Sequence, residues 1–330
     1  MQLLRKIAFP ISLLYALVVY FRNFLFDTGI FASRSFATPT LCVGNLSTGG
    51  TGKTPMIEWI LANFHSKENI AVLSRGYKRK TRGFVQVTSK HTAEDVGDEP
   101  LQIFKKFPKS TVVVDANRRR GIARLEQQFS PGLILLDDAY QHRKVKASSY
   151  VLLTSFSNLY SQDWYLPTGN LRDSKKEAKR ANTIIVTKCP LELNTEGQAK
   201  IIDRLNPKPF QQVLFCGFEY DSVLKGIKEC IDLGTLGNRK ITVVTGIANA
   251  DLLISYLETY GLEVEHMEFP DHHFFTDQEI RILSSKPMII TTEKDFTRMG
   301  GKVQNAFYLE VRHLFLGDGK KAFLRMMEAL

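Results

Sequence analysis

Gly44-Asn45-Leu46-Ser47-Thr48-Gly49-Gly50-Thr51-Gly52-Lys53-Thr54-Pro55 decides how this chain is read. The apolar run Thr40–Val43 before it reads as a buried strand. After it, Met56–Phe64 places apolar residues at helical spacing. Strand, glycine-rich turn and helix in that order are the context a phosphate-binding loop requires. Glycines let the backbone curl until successive N–H groups point inward at phosphate oxygens. The helix starting near Lys53 adds the positive end of its dipole. Ser47, Thr48, Gly49, Gly50, Thr51, Gly52, Lys53 and Thr54 are therefore expected to hold a nucleotide. Lys53 supplies a cation for the β- and γ-phosphates, and the Thr54 hydroxyl is a ligand for Mg²⁺. Ser47 stands where the strict pattern has glycine, and its hydroxyl is expected to donate to a phosphate.

A second element supports this reading. Gly132–Asp138 is a near-continuous apolar strand ending in Asp137 and Asp138. A buried parallel strand of that kind delivers a carboxylate to the Mg²⁺ beside a phosphate loop. Further apolar runs at 69–74, 111–114, 150–154 and 182–188 alternate with helical segments. They predict a mainly parallel α/β sheet covered on both faces. Near Asn206-Pro207-Lys208-Pro209 the pattern breaks, as in a linker. A second α/β unit follows, with strands at 240–245, 264–269, 287–292 and 307–309.

The 330 residues carry a net charge of +10, which favours anionic partners such as phosphorylated substrates, acidic membranes or nucleic acid. The four cysteines are far apart and form no C-x-x-C pair, so no cysteine metal site is expected. Ile7 to Phe21 carries no charge and is flanked by Arg5, Lys6 and Arg22. It is shorter than the roughly 18–20 residues of a full span, and no small-residue cleavage site follows it. An interfacial helix fits best, with its cations at headgroup level and the body of the protein on the cytoplasmic side.

One loop stands directly after a strand, where ligands of open α/β sheets bind, and a second polar stretch leads into a helix. Arg75-Gly76-Tyr77-Lys78 is a candidate phosphate or sugar contact. In Gly97-Asp98-Glu99-Pro100 the acids either favour the start of a helix or place Asp98 as a base aimed at a hydroxyl.

Taken together, these motifs resemble one family, the tetraacyldisaccharide 4'-kinases that act on lipid A precursors. The resemblance runs through Val43–Pro55, Ser74–Tyr77, Gly97–Pro100 and Asp137–His142, then through Leu166–Asp173, Thr245–Asn249, Pro270–His273 and Thr292–Asp295. Ser47 is itself the family's form. Lys78 and Ala139 stand where the family often has glycine, and Asp173 where it commonly has glutamate.

The resemblance implies two α/β/α sandwich domains, the first P-loop NTPase-like. The division is an N-terminal membrane-associated helix over 1–27, a kinase domain over 28–206, and a second α/β domain over 207–330 that closes on the site. It implies ATP and Mg²⁺ as cofactors and the disaccharide 1-phosphate as substrate at the inner-membrane surface, with lipid IVA as product and no nucleic acid as partner. By the same resemblance Asp98 is the base, with His272 or the neighbouring His273 orienting it and Lys53 on the phosphates. Thr54, Asp137, Asp138 and, through a water, Asp173 serve the metal. Arg75, Tyr77, Arg119 and Arg172 are left for the sugar or its 1-phosphate. The rival is a P-loop GTPase or ATPase switch without a lipid substrate. Thr187-Lys188 faintly resembles a guanine-reading motif, but Pro190 replaces its aspartate.

Overall fold

Strands of a parallel sheet are covered on both faces, so they read as short, near-continuous apolar runs. The computed structural model describes Arg5 and residues 7–64, 69–247 and 249–330. In it these runs are β1 (Thr40–Asn45), β2 (Ile70–Ser74), β4 (Thr111–Val114), β5 (Leu133–Asp137), β6 (Ser149–Ser155) and β7 (Thr183–Thr187), with the short β3 (Val85–Gln86) at the edge. Their order is β7-β6-β1-β5-β2-β4-β3, parallel except for β3. Alternate residues of one strand serve opposite faces: Leu41 and Val43 enter one core, Cys42 the other. The order sets β5 directly beside β1 with Asp137 opposite Val43, so the acidic strand end lies next to the glycine-rich loop.

The second unit contains β10 (Lys240–Thr245), β11 (Glu263–Glu268), β12 (Ile289–Thr292) and β13 (Ala306–Phe315). The two α/β units expected from the sequence are present, but their sheets are joined. The strand β8 (Gln212–Lys225) pairs in parallel with β7 through Phe215, then turns antiparallel to β13 from Cys216 onward. The chain crosses between units on this two-stranded ribbon, with the small β9 (Cys230–Asp232) on its far end.

Packing sorts the last residues differently from a cut at 206/207. Phe315, Phe323 and Met327 belong to the same core as Leu41, Ile57 and Trp59, and the rings of Trp59 and Phe315 lie 4.8 Å apart. The C-terminal helix Gly319–Glu328 thus closes the first unit. Residues Lys175–Arg180 form a charged 3₁₀ segment. Across the units, Lys106 sits among Glu58 (2.9 Å), Glu293 (3.0 Å) and Glu310 (3.6 Å).

The N-terminal helix Phe9–Asp27 is inside out. Its buried residues are Ser12, Val19 and Asn23, while Leu13, Leu14, Leu17, Val18 and Phe21 are more than half exposed. Ser12 Oγ donates to Thr168 Oγ1 (2.8 Å), Tyr15 Oη to the Arg172 carbonyl (3.1 Å), and Asn23 Nδ2 to Asp173 Oδ1 (2.7 Å). A polar stripe at helical spacing faces the protein and an apolar surface faces outward. By length and composition this helix is able to cross a membrane. An apolar face of that size is costly in water and suited to lipid.

Candidate active site

The phosphate loop is shaped by its glycines and by what lies beneath it. Gly49 and Gly52 have φ of 106° and 83°, a region that disfavours side chains. Gly52 caps the helix Lys53–Asn63, and a Cβ there would sit 2.9 Å from the His313 ring. Ser47 does not offer its hydroxyl to the cleft as the sequence reading expected: Ser47 Oγ donates to Asp163 Oδ2 (3.0 Å). Asp163 Oδ1 also accepts from Asn170 N (3.1 Å). The physical reason is that the buried Asp163 needs donors, and Ser47 Oγ supplies one of them. Through Asp163 the loop at 163–171 is bound to the underside of the phosphate loop, where Thr48 N also donates to the Asn170 carbonyl (2.7 Å).

Lys53 Nζ rests 3.8 Å from Asp138 Oδ1 and 3.5 Å from Asn45 Oδ1. Asp138 takes the left-handed conformation (φ 47°), which turns its carboxylate back toward the loop. It accepts a forked contact from Arg172, with Nη1 at 3.1 Å. Burial works to raise Asp138, but Lys53, Arg172 and Arg118 outweigh it and hold its carboxyl well below the usual range. Asp137 is the opposite case. Burial, followed by the charges of Glu99 and Asp138, pushes it up to about 7. Its Oδ2 accepts from Ser74 Oγ (3.0 Å), whereas its buried Oδ1 has no partner. An orphaned carboxylate oxygen next to Asp138 and Thr54 is what a divalent cation would satisfy. These residues fit Mg²⁺.

Across the cleft, Asp98 occupies the first turn of the helix Asp98–Lys106, at 3% exposure. Its Oδ2 lies 3.1 Å from His272 Nδ1. His272 comes from the second unit and holds φ at 58°, a conformation that costs a non-glycine residue about 1 kcal/mol. His273 Nε2 instead meets Glu279 Oε2 (2.9 Å). Burial would raise Asp98, but the His272 contact, Lys294 and Arg298 outweigh it and hold its carboxyl far below the usual range. Tyr77 packs on the His272 ring at 4.9 Å between centroids.

A cleft of about 910 Å³ is lined by the phosphate loop, Arg75, Tyr77, Asp137, Asp138, Arg172 and His272, and reaches buried Asp98 only through its contact with His272. Two expected residues lie elsewhere. Arg119 lines a neighbouring basic groove with Arg34, Arg120 and Lys144. Asp173 is fully buried under the N-terminal helix, accepting from Asn23 and from Ser174 N (2.8 Å). The shorter carboxylate serves the helix rather than the cleft. Asn23→Leu is accordingly expected to cost about 2 kcal/mol, because it strips a buried carboxylate of its side-chain donor. A thermal melt checks this, and an unchanged midpoint would contradict it.

Several residues escaped the sequence reading: Arg118, Asp163, Glu99, Lys294 and Arg298. Arg118 is buried and donates to the carbonyls of Asp115 (3.1 Å) and Asp137 (3.3 Å). Helical phase within Arg118-Arg119-Arg120 carried the signal, since only one of three consecutive residues can point into the fold. Lys294 pairs with Glu99 at 2.8 Å, and Thr292–Asp295 was recognised only as part of a motif.

As a class, the fold and the cleft define a P-loop enzyme that handles nucleoside triphosphates. The family model described as tetraacyldisaccharide-1-P 4'-kinase matches residues 4–329. A tetraacyldisaccharide 4'-kinase of Flavobacterium johnsoniae is 47% identical over 322 residues, 96% of this chain and 94% of that one. The Bacteroides thetaiotaomicron protein of the same name is 40% identical over 316 residues, covering 90% and 83%. A crystal structure of LpxK from Aquifex aeolicus in complex with ATP superposes with a TM-score of 0.76 at 29% identity, covering 98% of this chain and 99% of that one. The chain belongs to the tetraacyldisaccharide 4'-kinase family. A nucleotide switch without a lipid substrate has no counterpart among these relatives.

Proposed function

We propose that this protein transfers the γ-phosphate of ATP to the 4'-hydroxyl of a tetraacyldisaccharide 1-phosphate, giving the 1,4'-bisphosphate lipid IVA. The observation that carries the reading is that the phosphate loop and His272, from different units, line one cleft, with buried Asp98 in contact with His272.

Phosphoryl transfer depends chiefly on positioning and charge neutralisation. Loop amides and Lys53 grip the triphosphate. Thr54, Asp137 and Asp138 would hold Mg²⁺, which when bound offsets charge on the β- and γ-phosphates. Asp98 accepts the hydrogen bond of the sugar hydroxyl and fixes its oxygen in line with phosphorus. The proton leaves to the Asp98–His272 pair as the bond to phosphorus forms. A carboxylate of low basicity suits a loose transition state, in which the hydroxyl becomes acidic late. Arg75, Tyr77 and Arg172 flank the acceptor. Arg119, with Arg34, Arg120 and Lys144, offers a cationic groove for the sugar's 1-phosphate. The second unit closes over the cleft and excludes water from the γ-phosphate.

The inside-out helix supports our reading that the work is done at the cytoplasmic face of the bacterial inner membrane, where the acyl chains would stay in lipid. Nucleic acid has no part in this reading. Leu13, Leu17, Val18 and Phe21 changed together to serine are expected to abolish sedimentation with anionic vesicles while leaving the affinity for ATP unchanged. Equal loss of both would count against the membrane role.

The direct test is γ-labelled ATP, Mg²⁺ and the disaccharide 1-phosphate in detergent. Label should appear in the lipid and be competed by ATP over GTP. ATP hydrolysis with no labelled lipid would reject the reading.

A further inference from the structure

The cation that meets Asp98 most closely comes from the second unit and has no counterpart in the mechanism above. Arg298 lies on the helix Glu293–Met299 and its side chain is 0% exposed. Its Nε donates to Asp98 Oδ2 at 2.7 Å and its Nη2 donates to the same oxygen. Nη1 donates to Asp295 Oδ1 (2.6 Å) and to the Gly246 carbonyl (2.9 Å). Asp295 is itself fixed: its Oδ2 accepts from Gly246 N (3.0 Å) and from Thr292 Oγ1 (2.7 Å). The guanidinium is therefore held rigidly by its own unit before it reaches Asp98, 200 residues away in sequence.

We propose that Arg298 is a positioning residue for phosphoryl transfer: its fork sets the orientation of Asp98 and completes the Asp98–His272 pair only when the two units meet.

The proposal rests on the kinase reading. Its physical basis is the geometry at one oxygen. Asp98 Oδ2 receives Nε and Nη2 of Arg298 together with His272 Nδ1, while Oδ1 receives Glu99 N (2.9 Å). With Oδ2 occupied by donors, the remaining lone pair of Oδ1 is left for the hydroxyl. A planar fork with two donors on one carboxylate fixes direction, which a single ammonium does not. The other charged groups around Asp98 are Glu99 on its own helix and Lys294, Asp295 and His272 from the second unit. Lys294 pairs with Glu99 (2.8 Å) and Arg298 with Asp295, so, His272 aside, the three carboxylates outnumber the two cations by one. Removing Arg298 leaves Asp98 with one neutralised cation and a histidine, and its proton affinity rises.

The experiment compares wild type, Arg298→Gln, Arg298→Lys and Arg298→Ala in the labelled-lipid assay between pH 5 and 9. For Arg298→Gln the expected result is kcat lower by about 10²-fold, KM for ATP unchanged, and the acid limb of the kcat profile moved up by about one pH unit. Arg298→Lys keeps the charge without the fork, and should lose kcat with the acid limb in place. Guanidinium ion added to Arg298→Ala should restore about tenfold, which a purely structural role does not predict. If Arg298→Gln does not fold, the Lys variant and the guanidinium rescue decide. A Lys variant at full kcat, or a folded Gln variant with an unmoved limb and no rescue of Ala, overturns the proposal. A wild type that labels no lipid overturns the kinase reading instead.

Discussion

Asp98→Asn is expected to lower kcat for lipid phosphorylation by about 10³-fold, within the range that loss of a positioned proton acceptor produces. The reason lies in the pair spanning the cleft. The amide keeps the shape of the carboxylate but turns one acceptor oxygen into a donor, so the hydroxyl loses its partner and Arg298 faces a neutral group. KM for ATP should not move, because the phosphate loop belongs to other strands. Steady-state kinetics at fixed lipid separate the two parameters. A variant with wild-type kcat would remove Asp98 from the transfer step.

Lys53→Met should behave differently. Lys53 lies between Asp138 and Asn45, and in the proposed mechanism it is the loop's cation for the phosphates. Its loss removes charge stabilisation from the transferring phosphoryl, at a cost of about 10²-fold or more in kcat. The same ammonium contacts ground-state phosphates, so ATP affinity should also fall, by roughly tenfold. Isothermal titration with ATP and single-turnover transfer measure the two losses. A variant that binds ATP normally would place the triphosphate away from this loop. The contrast between the variants, one sparing nucleotide binding and one not, maps the division of labour across the cleft.

Much of this was legible in the chain itself. The run from Thr40 to Pro55 named its own conformation, since strand, glycines and helix each leave a local signal. Asp137 and Asp138 were legible for the same reason, as acids ending an apolar run. The joined sheet was not. Residues 212–225 change partners midway, at Cys216 and Gly217, so no single alternation marks them as one strand. Nothing local in the C-terminal helix reveals that Phe323 and Met327 return to the first core. Asp173 was misplaced because a carboxylate near a motif looks catalytic until its donor is seen, and that donor, Asn23, is 150 residues away. Arg298 was invisible on the same ground: its meaning depends on Asp98, and only tertiary structure brings the two together.

The paired crossing of β8 and β13 has a mechanical consequence. Two hydrogen-bonded strands lying side by side resist stretching and shear more than torsion, so a twist of this ribbon is the motion expected to move one unit against the other. His313 on β13 bonds through Nε2 to the Gly52 carbonyl (2.9 Å), and its ring packs on Phe218 of β8 (5.1 Å). Any such twist is therefore felt at the turn that introduces Lys53, and the jaw cannot swing without tugging on the grip.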